Sequence, residues 1–199
     1  MSDDAEIRRI VHRVIHQIMG IAAPALAPAA HPASAPESPA SVAAAAAPER
    51  EVVAIGADHG GFELKEMLKR ELVELGFEVL DVGTHSTDAV DYPDIAHAVA
   101  GLIPAGKVKR GVIVDGAGIG SCIVANKVAG VRAGLAYDYS SAVNGREHNH
   151  TNVLTLGAGL IGVNLARQIL RTWLATPFGG GRHAQRVDKI VAIEKQYLK

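Results

Sequence analysis

From Glu51 onward the chain repeats one pattern five times: a short apolar run, a glycine- or aspartate-bearing break, then a longer stretch with helical spacing. The runs are EVVAIGA (51–57), FEVLDVG (77–83), RGVIVDG (110–116), VRAGLAYD (131–138) and TNVLTLGA (151–158). Between and after them come FELKEMLKRELVELG, DIAHAVAGLI, SCIVANKVAG, SSAVNGREHN and GVNLARQILRTWLAT, and a last helix is expected from Ala184 to Leu198. A strand buried on one face alternates apolar and polar residues, whereas one buried on both faces is apolar throughout. Apolar strands alternating with helices therefore predict a parallel sheet covered on both faces, in the α/β class. Such sheets bind ligands beyond the carboxyl ends of their strands. Asp58-His59, Gly83, Asp115-Gly116 and Asp138 all fall at those ends, which predicts one shared site.

The first fifty residues do not follow this pattern. In DDAEIRRIVHRVIHQIM (3–19), Ile7, Ile10, Val11, Val14, Ile15 and Ile18 form a stripe along one helical face. Asp3, Asp4 and Glu6 favour a helix N-terminus, and Gly20 is a stop signal. Residues 21–49 are almost wholly Ala, Pro and Ser, a composition with little to bury that reads as a linker. The expected organisation is thus an amphipathic helix (1–20), a linker (21–49) and an α/β body (50–199). A net charge of −1 gives no field to recruit nucleic acid, and no apolar run reaches the length of a membrane span. The single cysteine, Cys122, rules out an internal disulfide and fits a cytoplasmic setting.

The glycine loop DGAGIG opens the next helix straight from a strand. Gly116, Gly118 and Gly120 permit close backbone approach to an anion, or serve only a tight strand–helix turn. A dinucleotide fingerprint would need a third glycine at position 121, which is Ser121; Asp138, placed as a ribose-binding carboxylate, keeps nucleotide binding as an alternative. Asp58 in GADHGG lines a site or caps the helix behind it. His148 and His150 in REHNHTN lack a third ligand at metal spacing. Arg182 and Arg186, one helical turn apart, suit a phosphate, or else form a solvated helix start.

Taken together, GADHGGFELK, DVGTHSTDAVDYPDIA, GAGIG with ANKVAGVRA, REHNHTNVLTLG and GGRHAQRVDKI resemble the ribose-5-phosphate isomerase B and galactose-6-phosphate isomerase subunit family, from Glu51 to about Glu194. The resemblance implies a Rossmann-like three-layer α/β/α sandwich with a five-stranded parallel sheet. It implies a cofactor- and metal-free aldose–ketose isomerase of sugar phosphates, working as a dimer or dimer of dimers with sites shared across the interface. By the same resemblance His148 assists ring opening, Asp58 and His59 line the sugar and phosphate site, and Asn126 contacts the sugar. Arg182 and Arg186 hold the phosphate, and the amides of the Gly116–Gly120 loop stabilise the enediolate.

Four positions depart from the family pattern. Asp115 stands where many members carry a cysteine base; Ser121 stands where others carry a glutamate; Ala117 replaces a threonine. Gly159 replaces an arginine after TLGA. Asp115 together with the missing arginine resembles the A-type subunit of galactose-6-phosphate isomerase, whereas GADHGG and DYPDIA resemble the ribose-phosphate enzymes. The reading taken is a ribose 5-phosphate isomerase with Asp115 as the replacement base; the alternatives are a galactose-6-phosphate isomerase-like subunit or a non-catalytic sugar-phosphate-binding homologue. The helix-plus-linker extension resembles the encapsulation peptides that load enzymes into bacterial microcompartments, which implies a shell-protein partner for residues 3–19. A membrane-surface anchor through Arg8, Arg9 and Arg13, or packing on a sister chain, are the rival readings of that helix.

Overall fold

The structure, a computed structural model, describes residues 50–197; the expected helix at 3–19 and the linker at 21–49 lie outside them. Five parallel strands, β1 (Val52–Ala57), β2 (Glu78–Asp81), β3 (Arg110–Asp115), β4 (Ala133–Leu135) and β5 (Val153–Gly157), form one sheet in the order β2-β1-β3-β5-β4. The helices are α1 (Phe62–Glu74), α2 (Tyr92–Gly101), α3 (Ile119–Ala125), α4 (Tyr139–Glu147), α5 (Val163–Ala175) and α6 (Arg182–Tyr197). This is the α/β/α sandwich expected from the alternating pattern.

Each central strand faces both layers. Val53, Ile55, Val112, Val114, Leu154 and Leu156 pack with Leu64, Leu68 and Leu72 of α1 and Ile169, Leu170 and Trp173 of α5. Ala54, Ile113 and Val153 pack with Ala96, Val99 and Ala100 of α2 and Ala125 of α3. Full burial of each large side chain contributes about 1.5–3 kcal/mol, so the periodicity of the strands is also the source of their stability. The α2 layer sits close because β1 offers no side chain at Gly56, where a Cβ would come 2.7 Å from Ile95 and 2.8 Å from Val99.

Two ionic clusters tie α1 to its neighbours. The Lys65 ammonium, fully buried, donates to both oxygens of Asp81 at 2.8 and 2.7 Å, joining α1 to the end of β2. The carboxylate of Glu71, also buried, pairs with Arg171 and Arg167 of α5. Burying such charges is tolerable only when they are paired.

Three boundaries differ from the sequence reading. The strand expected over 131–138 is only Ala133–Leu135. Its first amide is taken by Asn126, whose Oδ1 accepts from Ala133 N, while Asn152 Oδ1 accepts from Arg132 N. Its far end is drawn into a helix cap, where Ser141 Oγ meets the amides of Tyr137 and Asp138. Helix α3 starts earlier than expected, at Ile119, and stops at the Asn126 cap, and α6 begins at Arg182 rather than Ala184.

Candidate active site

The strand order reverses direction on either side of β1, so the crevice between the carboxyl ends of β1 and β3 is the switch point where α/β sheets bind ligands. Asp58 and Asp115 stand there side by side in the sheet register, which pairs Ala57 with Val114. Asp115 ends β3 with 5% of its surface exposed. Its carboxylate is encircled by its own loop. One oxygen accepts from Ala117 N at 2.8 Å and from Gly118 N; the other accepts from Ser121 N at 3.1 Å and from the Ser121 hydroxyl. Gly118 reaches this geometry at φ 76°, and a Cβ there would lie 2.5 Å from Leu135 and 2.9 Å from Leu156. The loop is built to receive negative charge, and the first anion it receives is Asp115 itself.

The loop is also fastened from the side. Asp115 O accepts from Ala158 N at 2.8 Å, and Gly116 O accepts from Gly159 N at 3.0 Å. The turns after β3 and β5 are thereby joined, with Gly159 so close that a Cβ would stand 3.0 Å from Gly116 O.

Asp58, nearly buried, accepts from Gly61 N at 2.9 Å and so closes the turn into α1. His59 is exposed beside it, its Nδ1 within 3.2 Å of Val90 O and 3.3 Å of Val90 N. Gly83 at the end of β2 braces the same turn: Ala57 N donates to Gly83 O, and Thr84 N donates to Ala57 O, both at 2.7 Å. Gly83 N is in turn fixed by Asp81. Burial by itself would raise the Asp81 pKa, but Lys65, Lys69 and the Gly83 amide overcome it and hold the carboxyl at about 2.

Two sequence readings change here. Asn126 does not face this crevice as a solitary polar group: its amide spans Cys122 O and Ala133 O, each at 3.0 Å, and Ala133 N at 2.9 Å, bracketing the start of β4. Asp138 accepts from Ser141 N at 2.7 Å in a reciprocal capping box of α4, so the carboxylate considered for a ribose is a helix cap.

His148 caps the other end of α4. The chain leaves β4 at the carboxyl edge, runs down nine residues of α4, and enters β5 at the amino edge. At a rise of about 1.5 Å per residue, His148 lies roughly 13 Å from the edge that holds Asp115. It has company there. Its ring stacks on His183 with centroids 4.1 Å apart and planes within 2°, and Gly179 N donates to Glu147 O at 2.9 Å, which docks the start of α6. Desolvation first, then His148, Arg182 and Arg186, lower the His183 pKa. Arg182 and Arg186 are exposed on the first turns of α6. His150 takes no part: its ring stacks on Phe178 at 4.4 Å.

The candidate residues thus fall into two groups on opposite edges of one chain: Asp58, His59, Asp115, Gly116, Gly118 and Gly120 at the carboxyl edge, and His148, Arg182 and Arg186 at the amino edge. Sequence reasoning missed three neighbours. Ser121, weighed only as an absent base, donates twice to Asp115. Tyr92 lies over Gly120, where a Cβ would meet its ring at 2.5 Å; the motif DYPDIA was the signal for it. His183, between the two arginines, is the stacking partner of His148.

Residues 53–190 match the model of the Ribose/Galactose Isomerase family. Ribose-5-phosphate isomerase B of Escherichia coli is 45% identical over 144 residues, covering 72% of this chain and 97% of that protein. D-erythrulose-4-phosphate isomerase of Pectobacterium atrosepticum is 42% identical over 145 residues, covering 72% of this chain and 95% of its own length. The solved structure of ribose-5-phosphate isomerase B from Clostridium thermocellum superposes with a TM-score of 0.72 at 46% identity, covering 73% of this chain and 99% of its own. The shared segment carries the whole sheet and both groups of candidate residues, and the chain therefore belongs to the ribose/galactose isomerase family and is an isomerase.

Proposed function

We propose that the protein interconverts ribose 5-phosphate and ribulose 5-phosphate, with Asp115 as the base that moves a proton between C2 and C1. The observation that carries this reading is a carboxylate at the switch point, at the end of β3, on a loop of convergent amides. The base takes the C2 proton of the open-chain aldose, negative charge develops on the oxygen at C1, the hydroxyl proton at O2 passes to O1, and return of the carbon-bound proton to C1 yields the ketose with its carbonyl at C2. Of the amides in the loop, those of Ala117, Gly118 and Ser121 already serve Asp115. Stabilisation of the enediolate then falls to the first-turn amides of α3 at Ile119 and Gly120, which make no bond to Asp115. A carboxylate has about four lone-pair sites, all occupied here, so substrate must displace one donor. The Ser121 amide, at 3.1 Å, makes the longest of the three backbone bonds to Asp115.

The opposite-edge placement supports a second element of the proposal. His148, Arg182 and Arg186 act on the site of a second copy, His148 opening the sugar ring and the arginines holding the phosphate. One chain alone separates phosphate ligands from base by the depth of the sheet, whereas a two-fold pair places each group against the other's complement. Asp58 and His59 line the sugar, and Asn126 holds the start of the edge strand β4 in register.

The four-carbon name of the Pectobacterium relative and the absence of an arginine at Gly159 make chain length the open variable, with a six-carbon phosphate as the second reading. Turnover of a panel of four-, five- and six-carbon aldose phosphates tests it: ribose 5-phosphate is expected to give the highest kcat/KM, and a folded protein that turns over none of them contradicts the proposal. We also infer that residues 3–19 load the enzyme into a microcompartment lumen by docking on a shell protein, on the strength of the apolar stripe and the Ala/Pro linker behind it. A fluorescent protein carrying residues 1–49 should then co-purify with assembled shells, and one carrying the same segment with Ile10 and Ile15 changed to Asp should not.

A further inference from the structure

A second concentration of positive charge has no place in this chemistry. At the amino edge of the sheet a cavity of about 680 Å³ is lined by Lys109, Arg110, Arg132, Arg146 and His150, with Glu51 as the one carboxylate among its lining residues. Glu51 is engaged by Arg110, which donates to it through Nε at 2.8 Å and Nη2 at 2.7 Å and uses Nη1 on Leu174 O. That fork neutralises Arg110 and leaves the remaining cations to face one another.

Arg132 and Arg146 are each half-buried and only partly satisfied. Arg132 donates from Nε to His150 O at 3.0 Å. Arg146 donates from Nη1 to Thr151 O, lies over the Trp173 ring with its guanidinium carbon 5.3 Å from the centroid, and has a buried Nε without a partner. Desolvation first and then the neighbouring guanidinium groups push the Arg146 pKa down; for Arg132 desolvation does so against an attraction from Glu194. Desolvation, Arg132 and Arg146 likewise lower the pKa of His150. Gathering like charges in a partly dry pocket is unfavourable unless something negative enters it, and forked guanidinium donors match the oxygens of a phosphate.

We infer that this cavity is a binding site for a phosphate dianion, held by Arg132 and Arg146 with Lys109 at the rim. None of the residues placed in the isomerase chemistry lines it. The volume accommodates inorganic phosphate or a small phosphate monoester but not a polymer. The site touches the residue before β1 through Glu51 and the loop after α4 through His150, so its occupancy bears on the segment that presents His148.

The test is a calorimetric titration of inorganic phosphate, at constant ionic strength with chloride as the balancing anion, into four proteins. These are the full chain, Arg182→Ala/Arg186→Ala, Arg132→Gln, and Lys109→Gln. Arg182→Ala/Arg186→Ala should retain one phosphate per chain. Arg132→Gln should weaken that component by about tenfold or more, the loss expected for one charge-assisted hydrogen bond, and Lys109→Gln by a smaller factor. Lys109 is exposed, so its replacement leaves the fold intact and keeps the comparison valid if Arg132→Gln fails to fold. Loss of all phosphate binding in Arg182→Ala/Arg186→Ala, or an unchanged isotherm in Lys109→Gln and Arg132→Gln, overturns the inference. Failure of the isomerase assay alone leaves these outcomes unaffected.

Discussion

Asp115→Asn is a nearly isosteric change whose effects the loop geometry separates into two parts. The carboxylate accepts from Ala117 N and Gly118 N on one oxygen and from Ser121 N and Oγ on the other. An asparagine keeps one acceptor oxygen but turns the second position into a donor, which then faces either Ser121 N or the Ala117 and Gly118 pair. At 5% exposure no water replaces the lost partner, and an unsatisfied buried donor costs about 1–3 kcal/mol. For a body of this size, that is a fall in Tm of roughly 2–4 °C per kcal/mol. The chemical effect is larger. Removing a general base lowers kcat by about 10²–10⁴-fold, with KM for the sugar phosphate changed little because the phosphate ligands are untouched. Paired thermal unfolding and initial-rate measurements on ribose 5-phosphate distinguish the parts. Asp115→Ser removes the carboxylate without creating the new donor clash, and should lose turnover to a similar extent. Full turnover in either folded variant would refute Asp115 as the base; an unchanged Tm for Asp115→Asn would refute the four-donor cage.

Three further outcomes follow from the geometry. Gly118→Ala forces a side chain at φ 76° into Leu135 and Leu156, so it should destabilise the body by more than about 1 kcal/mol and reduce turnover by moving the Ala117 and Gly118 amides off Asp115, as unfolding and rate assays would show. Asp81, depressed from 3.8 to about 2, favours the folded state above pH 3.8 and loses that contribution as pH falls toward 2; an acid titration of wild type against Asp81→Asn should show the two stability curves converging over that interval. Arg186→Ala should raise KM by about one to two decades, the cost of one charged hydrogen bond to phosphate, whereas Gly159→Arg, whose Cβ sits 3.0 Å from Gly116 O and needs a small shift of that turn, should lower KM for five-carbon phosphates. Abolished binding in Gly159→Arg would favour the six-carbon reading.

Much of this was legible in the residues because the fold is periodic. Apolar runs such as VVAIGA and RGVIVD bury both faces, and a parallel sheet with intervening helices on either side covers them. The ends of β4 were not legible, because side chains distant in sequence decide them: Asn126 and Asn152 take the first amides, and Ser141 takes the last. For the glycine loop, spacing alone left open an anion receptor or a tight strand–helix turn. Only the backbone path shows that Asp115 folds back onto the amides behind it. Likewise the motifs singled out His148, Arg182 and Arg186 without showing that α4 carries His148 to the far edge of the sheet, where the start of α6 brings the two arginines beside it. That separation follows from the parallel connection between β4 and β5, which obliges the intervening helix to return across the sheet.

The claim that the working site takes Asp115 from one copy and His148, Arg182 and Arg186 from another is tested most directly by complementation. Asp115→Asn and Arg182→Ala/Arg186→Ala are each expected to be nearly silent on ribose 5-phosphate at low substrate. When they are co-expressed and assembled at random in equal amounts, half of the two-fold pairs are hybrids, and each hybrid holds one intact site and one doubly broken site. Activity should therefore return to about a quarter of the wild-type value per chain. Mixtures that remain as inactive as their parents, although mass analysis shows that hybrids have formed, would contradict a site shared between copies.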